Sequence, residues 1–197
     1  MKLLIARLKD FSQEEYNKYY EMLDDARVVA VDRMKNETDK RLSVLGESLA
    51  RKGISEALKI DERAITFTRS ENGKPSANNL EVHFSVSHSK GIAVCVISDK
   101  NVGADIEKIR FCEPRVTKFA CVDDDLDFVF GVNTVPEGFD EQSLLRFFIL
   151  WTAKEAYIKF CGKKMANIKD FSYNSIKSNC QTHINDGYVL TIYSPNN

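Results

Sequence analysis

Three short segments rich in β-branched and aromatic residues follow one another closely in the middle of the chain, at 82–86, 91–98 and 102–106. Segments of this kind predict strands, and the turn at 99–101 predicts that the last two form a hairpin. Strands that come in hairpins, with helical segments before and after them, favour an α+β fold over a parallel doubly wound sheet.

Helical patterns flank these strands on both sides. A capping-box pattern predicts a helix that begins at Ser12. Leucines at helical spacing predict a second helix over 37–52, which Gly53 ends. The strongest amphipathic pattern predicts a helix over 143–160. The acidic, irregular segment 122–142 predicts a mobile loop.

The composition disfavours several classes of protein. A net charge of −1 is not the basic excess of a general nucleic-acid binder. The five cysteines form no C-x-x-C pair and share no zinc-site spacing with the three histidines, which favours reduced thiols in a cytosol. We find no apolar run of about 18 residues and no signal peptide. We therefore expect a cytoplasmic protein that binds neither nucleic acid nor membrane.

Two carboxylates, Asp105 and Glu107, lie two residues apart in a predicted strand. Side chains at i and i+2 of a strand share one face, so these carboxylates point the same way. Neighbouring carboxylates repel each other unless they share a cation or a proton. All-oxygen ligation suits magnesium, and a solvated strand face is the alternative that this pattern alone leaves open.

A second set of charges lies in the predicted helix over 143–160. Glu155 and Lys159 are four residues apart and share a helix face with Trp151. An exposed salt bridge would explain the pair. The tryptophan on the same face indicates partial burial, and a buried carboxylate or ammonium group needs a partner or a chemical task.

Polar residues follow the strand predicted at 82–86. Ser87, His88 and Ser89 stand at its end, where proteins often hold ligands. A serine-rich turn with a structural histidine is the alternative. The Gly-Lys-Pro segment at 73–75 is, by itself, equally compatible with a simple turn.

Four motifs occur in order: Gly-Lys-Pro at 73–75, Phe-Ser-Val-Ser-His-Ser at 84–89, Gly-Ala-Asp-Ile-Glu at 103–107, and Trp-Thr-Ala-Lys-Glu-Ala-Tyr-Ile-Lys at 151–159. Their combination is more specific than any one of them. With these motifs the chain resembles the Sfp-type 4′-phosphopantetheinyl transferases, also called holo-carrier-protein synthases, over most of its length.

The resemblance implies a magnesium-dependent enzyme that moves 4′-phosphopantetheine from coenzyme A to a serine of an apo acyl or peptidyl carrier protein and releases 3′,5′-ADP. It also implies two similar α+β halves in a pseudo-twofold arrangement, with coenzyme A in the cleft between them. We expect one compact unit made of halves 1–100 and 101–197, a second half that lacks a closing strand or two, and a monomer.

The resemblance also implies site residues. Asp105, Glu107 and Glu155 match the metal-binding acids of the family. Lys159 matches a lysine near the reacting phosphate. Asp125 fits best the spacing of a further acid that is proposed as a base. Glu155, Lys159 and Asp125 are therefore the expected catalytic residues.

Coenzyme A contacts follow from the same resemblance. His88 matches a histidine that contacts the pyrophosphate, and Lys74 and Ser87 match residues along the coenzyme cleft. Arg41 falls where the family places an arginine on the 3′-phosphate. Lys159 has two open roles, because a nearby cation lowers the pKa of a lysine and phosphates raise it. It either stays charged or takes the proton of the carrier serine.

Two other functions compete with this interpretation. A metal-dependent nuclease also uses Asp-x-Glu on a strand with a nearby glutamate and lysine, although the near-zero net charge and the ordered motifs disfavour it. A coenzyme A binding protein with a decayed site is the other alternative. The intact acidic and basic motif positions disfavour that interpretation.

Overall fold

Residues 1–195 are described by a computed structural model, which divides into two units, Met1–Val102 and Gly103–Asn197. The described residues form seven α-helices and eight strands, the strands arranged in antiparallel sheets. The α+β class predicted from the sequence is therefore confirmed. No helix within residues 1–195 is long and apolar enough to cross a membrane.

The first unit is built on a three-stranded sheet covered by a long helix. Its elements are β1 (Lys2–Arg7), α1 (Gln13–Tyr20), α2 (Asp25–Asp32), α3 (Glu37–Leu58), β2 (Phe67–Arg69), β3 (Pro75–Ala77), β4 (His83–Ser89) and β5 (Ile92–Ser98). The sheet has the order β1-β5-β4, and β2 and β3 form a separate ribbon. Helix α3 packs on all three strands of the sheet.

The start of α1 follows from its sequence. The backbone N–H of Glu15 donates to Ser12 Oγ at 3.0 Å, and the backbone N–H of Ser12 donates to Glu15 Oε2 at 3.2 Å. Both halves of the capping box are thus present. The rings of Phe11 and Tyr16 lie 6.4 Å apart, as a hydrophobic staple requires. The predicted start of this helix is confirmed.

Helix α3 continues past the glycine that was expected to end it. Leu42, Leu45 and Leu49 are buried as predicted, but Gly53 lies inside the helix, which ends at Leu58. A Cβ atom on Gly53 would lie 2.6 Å from Cγ1 of Ile97. The glycine therefore allows α3 to lie close to the sheet, and the prediction that it ends the helix is wrong.

The predicted hairpin between 91–98 and 102–106 is also wrong. Strand β5 pairs with β1 and β4, and the next strand along the chain belongs to another sheet. The hairpin partner of β5 is β4, joined to it by Lys90 and Gly91. Both residues have positive φ, 42° and 89°, which is typical of the type I′ turns that suit the twist of two strands.

The second unit repeats this plan. Its elements are β6 (Gly103–Lys108), α4 (Thr117–Ala120), α5 (Asp123–Phe130), α6 (Glu141–Cys161), α7 (Tyr173–Ile176), β7 (Cys180–Asn185) and β8 (Tyr188–Tyr193). The sheet has the order β6-β8-β7, and α6 packs on β6 and β8. Asp186 and Gly187, both at positive φ, close the β7–β8 hairpin.

The two units have the same strand order. In each, the first strand lies at one edge, and a later hairpin supplies the central strand and the other edge. The expected loss of a closing strand therefore does not affect the three-stranded sheet. The β2–β3 ribbon has no counterpart among the residues of the second unit that are described. The pseudo-twofold relation of the halves stays a prediction.

Part of the segment expected to be a loop is a helix. Helix α5 covers Asp123–Phe130 inside the segment 122–142. Three aspartates occupy its first turn, where negative charge is favourable against the helix dipole. Val129, one turn after Asp125 on the same helix face, is fully buried in the core of this unit. The acidic composition thus marks a helix start and not an irregular loop.

Candidate active site

The acidic motif lies on β6, an edge strand of the second sheet. Asp105 is buried and pairs in register with Thr191, and Glu107 is half-buried and pairs with Val189. Their i, i+2 spacing gives the two side chains one face of the strand. Nη1 of Arg110 donates to Glu107 Oε2 at 2.9 Å. The strand therefore presents one buried and one half-buried carboxylate on the same face.

Helix α6 supplies a cation to this strand. Lys159 Nζ donates to Asp105 Oδ1 at 2.7 Å and to the carbonyl of Ala104 at 3.2 Å. One turn earlier, Glu155 of the same helix lies close enough to Asp105 and Glu107 for their charges to raise its pKa, after burial, which raises it most. The helix motif and the strand motif predicted from the sequence therefore meet in one cluster, with Lys159 against Asp105.

The charged groups of this cluster lie close enough together to shift one another's pKa values. Burial raises the pKa of Glu155, the charge of Asp105 raises it further, and the result is about 8. Burial lowers the pKa of Lys159, but the charges of Asp105 and Glu155 outweigh burial and leave that pKa raised. Lys159 therefore stays protonated near neutral pH, whereas Glu155 holds a proton that an ordinary glutamate would lose.

A metal ion suits this donor set by its chemistry. Within residues 1–195 no group of three or more histidine, cysteine, aspartate or glutamate side chains is arranged to hold one. Burial is the largest cause of the raised pKa of Glu155, but the charges of Asp105 and Glu107 raise it further, so the three carboxylates lie near enough to repel one another. A divalent cation relieves such repulsion, and hard oxygen ligands suit magnesium. The charges fit the ion, although the ligands are not gathered around one point.

Asp125 lies in a different environment from the acidic cluster. It is 0% exposed, and its Oδ2 accepts from Lys154 Nζ at 2.5 Å. The backbone N–H groups of Val122 and Tyr173 donate to its two oxygens at 3.0 and 2.7 Å. A serine of another protein cannot reach a carboxylate enclosed in this way. These contacts favour a structural role for Asp125 over the expected role of a base.

Lys154 makes further hydrogen bonds that hold the buried pair in place. Its Nζ also donates to the carbonyls of Ala120 at 2.9 Å and Ile168 at 3.1 Å. The buried pair therefore joins α5 and α6 to the segments that precede α5 and α7. The adjacent residues Lys154 and Glu155 of the helix motif therefore have different roles. Lys154 supports the fold, and Glu155 faces the acidic cluster.

The expected coenzyme contacts in the first unit occupy β4 and the start of β3. Ser87 is buried and His88 is exposed on the opposite face of β4, an edge strand. Lys74 Nζ donates to Asn101 Oδ1 at 3.2 Å and to the carbonyl of Val102 at 3.4 Å. Lys74 is therefore held at the end of the segment that leads into β6.

Arg41 is engaged within the first unit. Its guanidinium donates to Gln13 Oε1 at 2.6 Å and to the carbonyl of Phe11 at 2.5 Å. The same group lies 5.2 Å from the ring centroid of Tyr16, within cation–π range. These contacts hold α1 against the first turn of α3. A phosphate at Arg41 would have to share this guanidinium with them.

Sequence reasoning missed an arginine cluster around Glu47. Glu47 Oε2 lies 2.7 Å from Arg69 and 3.4 Å from Arg27 Nε, and Glu47 Oε1 lies 3.3 Å from Arg51. Three cations thus surround one buried carboxylate. Burial lowers the pKa of Arg27, and the neighbouring charge of Arg69 lowers it further.

The sequence offered only a weak signal for this cluster. Glu47 and Arg51 form an i, i+4 pair on α3, but Arg27 and Arg69 lie on α2 and β2. Arg51 spends its N–H groups on the carbonyls of Met22, Glu62 and Ile65 and therefore supports the fold. Arg27 and Arg69 are the cluster members with partly exposed side chains.

Comparison with protein families covers nearly the whole chain. Residues 10–101 match the model described as 4′-phosphopantetheinyl transferase, N-terminal, and residues 101–190 match that of the 4′-phosphopantetheinyl transferase superfamily. The second match contains the whole acidic cluster, and the first contains the arginine cluster.

Curated relatives carry the same description. The 4′-phosphopantetheinyl transferase gsp of Aneurinibacillus migulanus is 34% identical over 81% of this chain and 65% of its own length. Sfp of Bacillus subtilis (strain 168) is 29% identical over 80% and 68%, and psf-1 of Bacillus pumilus is 30% identical over 83% and 70%. The chain thus spans about two thirds of the length of these relatives.

Proposed function

This chain belongs to the 4′-phosphopantetheinyl transferase superfamily, and from that membership we propose that it transfers 4′-phosphopantetheine from coenzyme A to a serine of an apo acyl or peptidyl carrier protein. The other product is 3′,5′-ADP. The observation that carries the proposal is the meeting of the strand and helix motifs at Asp105 and Lys159. Family membership favours the transferase over the nuclease and over the decayed binding protein.

In the proposed reaction the oxygen of the carrier serine forms a bond to the β-phosphorus of coenzyme A, the bond from that phosphorus to the oxygen of the leaving 3′,5′-ADP breaks, and the serine proton passes to solvent. Negative charge develops on the phosphate oxygens as the bond to the leaving group breaks, so positioned cations lower the barrier. Lys159 is suited to this role because its raised pKa keeps it protonated. We assign it an electrostatic role and not that of a base.

Magnesium belongs to the proposal as the cofactor. Asp105, Glu107 and Glu155 would hold it, and when bound it would supply positive charge to the phosphate oxygens. The chain's own residues then have two tasks. The carboxylates balance the charge of the cation, and Lys159 moves its hydrogen bonds between Asp105 and the substrate phosphate.

Coenzyme A is proposed to bind residues of the first unit as well. Lys74, Ser87 and His88 remain the proposed contacts along the coenzyme. For the 3′-phosphate the cluster at Arg27 and Arg69 is a second candidate beside Arg41. The three arginines of this cluster carry three positive charges against the single negative charge of its carboxylate. The buried Arg27 Nε has no hydrogen-bond partner within residues 1–195. A phosphate dianion would complete both the charge and the hydrogen bonding.

The setting of the reaction is part of the same proposal. We infer a monomer that works in the cytoplasm without binding nucleic acid or membrane. The five cysteines are all free thiols in the described chain, which supports a reducing compartment. The near-zero net charge gives no general attraction to nucleic acid.

A transfer assay tests the proposal. The protein is incubated with coenzyme A, magnesium and a panel of apo acyl and peptidyl carrier proteins, and each carrier is weighed by mass spectrometry. We expect at least one carrier to gain one phosphopantetheine, and its serine-to-alanine variant to gain none. Coenzyme A binding without transfer to any carrier would support a decayed site, and magnesium-dependent plasmid cleavage would support a nuclease.

A further inference from the structure

The first residue of β6 touches the backbone of α6. A Cβ atom placed on Gly103 would lie 1.9 Å from the carbonyl oxygen of Ala156 and 2.7 Å from the amide nitrogen of Phe160. Both atoms belong to the helix backbone, so neither can move away as the end of a flexible side chain can. Glycine at position 103 is therefore what allows β6 and α6 to come this close.

This contact adjoins the acidic cluster on both elements. On the strand, Gly103 lies two residues before Asp105 and shares its face. On the helix, Ala156 follows Glu155 directly and Phe160 follows Lys159 directly. The spacing of strand and helix at Gly103 therefore also sets the separation of the charged groups, including the 2.7 Å contact from Lys159 Nζ to Asp105 Oδ1.

We propose that Gly103 is a positioning residue of the site, which sets the spacing between the carboxylates of β6 and the Glu155 and Lys159 side chains of α6, on which metal binding and phosphoryl transfer depend. The inference rests on the proposed function and assigns to Gly103 the spacing of the reacting groups. It does not assign to Gly103 any contact with the substrate.

The size of the displacement follows from the contact distance. Ordinary van der Waals contact of a Cβ atom begins near 3.4 Å, so relief of the overlap at 1.9 Å requires a shift of about 1.5 Å between strand and helix. A misplacement of about 1 Å at a catalytic site lowers turnover by about 100-fold. Disturbed support of metal ligands weakens metal affinity by about 10–100-fold.

Gly53 provides a matched control. It also allows a helix to lie against a sheet, since its Cβ atom would lie 2.6 Å from Cγ1 of Ile97. It belongs to α3 of the first unit, and the atoms nearest its Cβ position are side-chain atoms of Ile97 and Leu4. The atom that it meets belongs to a side chain, which can adjust. Gly53→Ala therefore tests whether tighter helix packing alone changes the acidic cluster.

The experiment uses the only tryptophan of the chain as a reporter. Trp151 lies one turn before Glu155 on the same face of α6, so its fluorescence senses an ion bound at the cluster. The probe is Mn²⁺, which takes the oxygen ligands that suit Mg²⁺ and quenches a neighbouring indole. Wild type, Gly103→Ala and Gly53→Ala are titrated below the unfolding temperature of each, with folding checked by circular dichroism.

We expect Gly103→Ala to raise the half-saturating Mn²⁺ concentration by about 10–100-fold. We also expect kcat to fall by a larger factor than the KM for coenzyme A changes. We expect Gly53→Ala to stay within about twofold of wild type. A folded Gly103→Ala protein with the Mn²⁺ affinity and kcat of wild type would overturn the inference. Equal weakening in both variants would overturn it as well.

A second variant keeps the inference testable where Gly103→Ala does not fold. Ala156 is buried against Tyr193, the β8 partner of Gly103, so Ala156→Val pushes α6 away from the same part of the sheet through side chains that can adjust. We expect the same loss of Mn²⁺ affinity. A wild-type protein that binds Mn²⁺ without transferring phosphopantetheine would contradict the proposed function alone, whereas one that transfers phosphopantetheine without responding to Mn²⁺ would contradict the inference about Gly103 alone.

Discussion

Removal of the carboxylate of Asp125 should destabilise the second unit strongly. Asp125→Ala leaves Lys154 fully buried without its counter-charge and deprives the N–H groups of Val122 and Tyr173 of their acceptor. Loss of one partner from a buried ion pair costs about 3–5 kcal/mol. At about 2–4 °C for each kcal/mol in a protein of this size, the melting temperature should fall by about 6–20 °C.

The assay is urea unfolding followed by the fluorescence of Trp151, which lies in the same unit as the pair. Asp124→Ala is the matched control, because Asp124 is exposed in the same turn of the same helix. We expect the control to change the free energy of unfolding by less than about 1 kcal/mol. The double variant Asp125→Leu with Lys154→Met should recover much of the loss, because no buried charge is left without a partner.

The activity of Asp125→Asn separates structure from catalysis. Asparagine keeps an acceptor of similar shape but cannot act as a base near neutral pH. We expect the folded variant to retain most of its transfer rate, with reduced stability. An unchanged midpoint of unfolding together with a complete loss of transfer would refute the structural assignment and restore Asp125 as a candidate base.

Three further predictions concern Lys159, the arginines of the first unit and the cysteines. Lys159→Ala should lower kcat severely with little change in coenzyme A affinity, and Lys159→Arg should recover part of the rate because it keeps the charge; an arginine variant as inactive as alanine, though folded and coenzyme-bound, would favour the base role. If the 3′-phosphate binds the arginine cluster, Arg69→Ala should weaken the binding of coenzyme A by about 1.5–3 kcal/mol and should change the binding of dephospho-coenzyme A little. Arg41→Ala should then weaken the binding of both ligands alike. The reverse pattern, measured by calorimetry, would assign the phosphate to Arg41. Burial raises the pKa of Cys95 to about 12, so its thiol stays neutral near neutral pH and should react with a disulfide reagent only after unfolding, whereas the exposed Cys161 should react at once; rapid labelling of Cys95 in the native protein would contradict its burial.

Local sequence signals predicted the elements whose cause is local. The capping box at Ser12 needs only residues three apart, and it is present in the structure. The strand motif around Asp105 and the helix motif around Glu155 are each visible in a few consecutive residues. Their meeting was expected from the resemblance to a family, because nothing in either segment says which strand a distant helix covers.

The failures share a non-local cause. Gly53 is the kind of residue that commonly follows the end of a helix. Its role is decided instead by the close approach of Ile97, which is 44 positions away in the sequence. The expected hairpin is wrong because β5 pairs with β4 instead, and that pairing uses the backbone hydrogen-bonding groups along one edge of β5. The role of Asp125 stays a prediction: it matches the spacing of a catalytic acid, and its burial against Lys154, which depends on the packing of two helices, argues for a structural role instead. Spacing alone does not report burial.

The mass of an apo carrier protein after incubation with coenzyme A decides whether the acidic cluster carries the reaction. It is compared between wild type and Asp105→Asn, and between magnesium and a chelator. We expect one added phosphopantetheine with wild type and magnesium, and none with the chelator or with a folded Asp105→Asn variant that still binds coenzyme A. Full transfer in the chelator, or by Asp105→Asn, would contradict the claim that the acidic cluster of β6 and α6 carries the reaction.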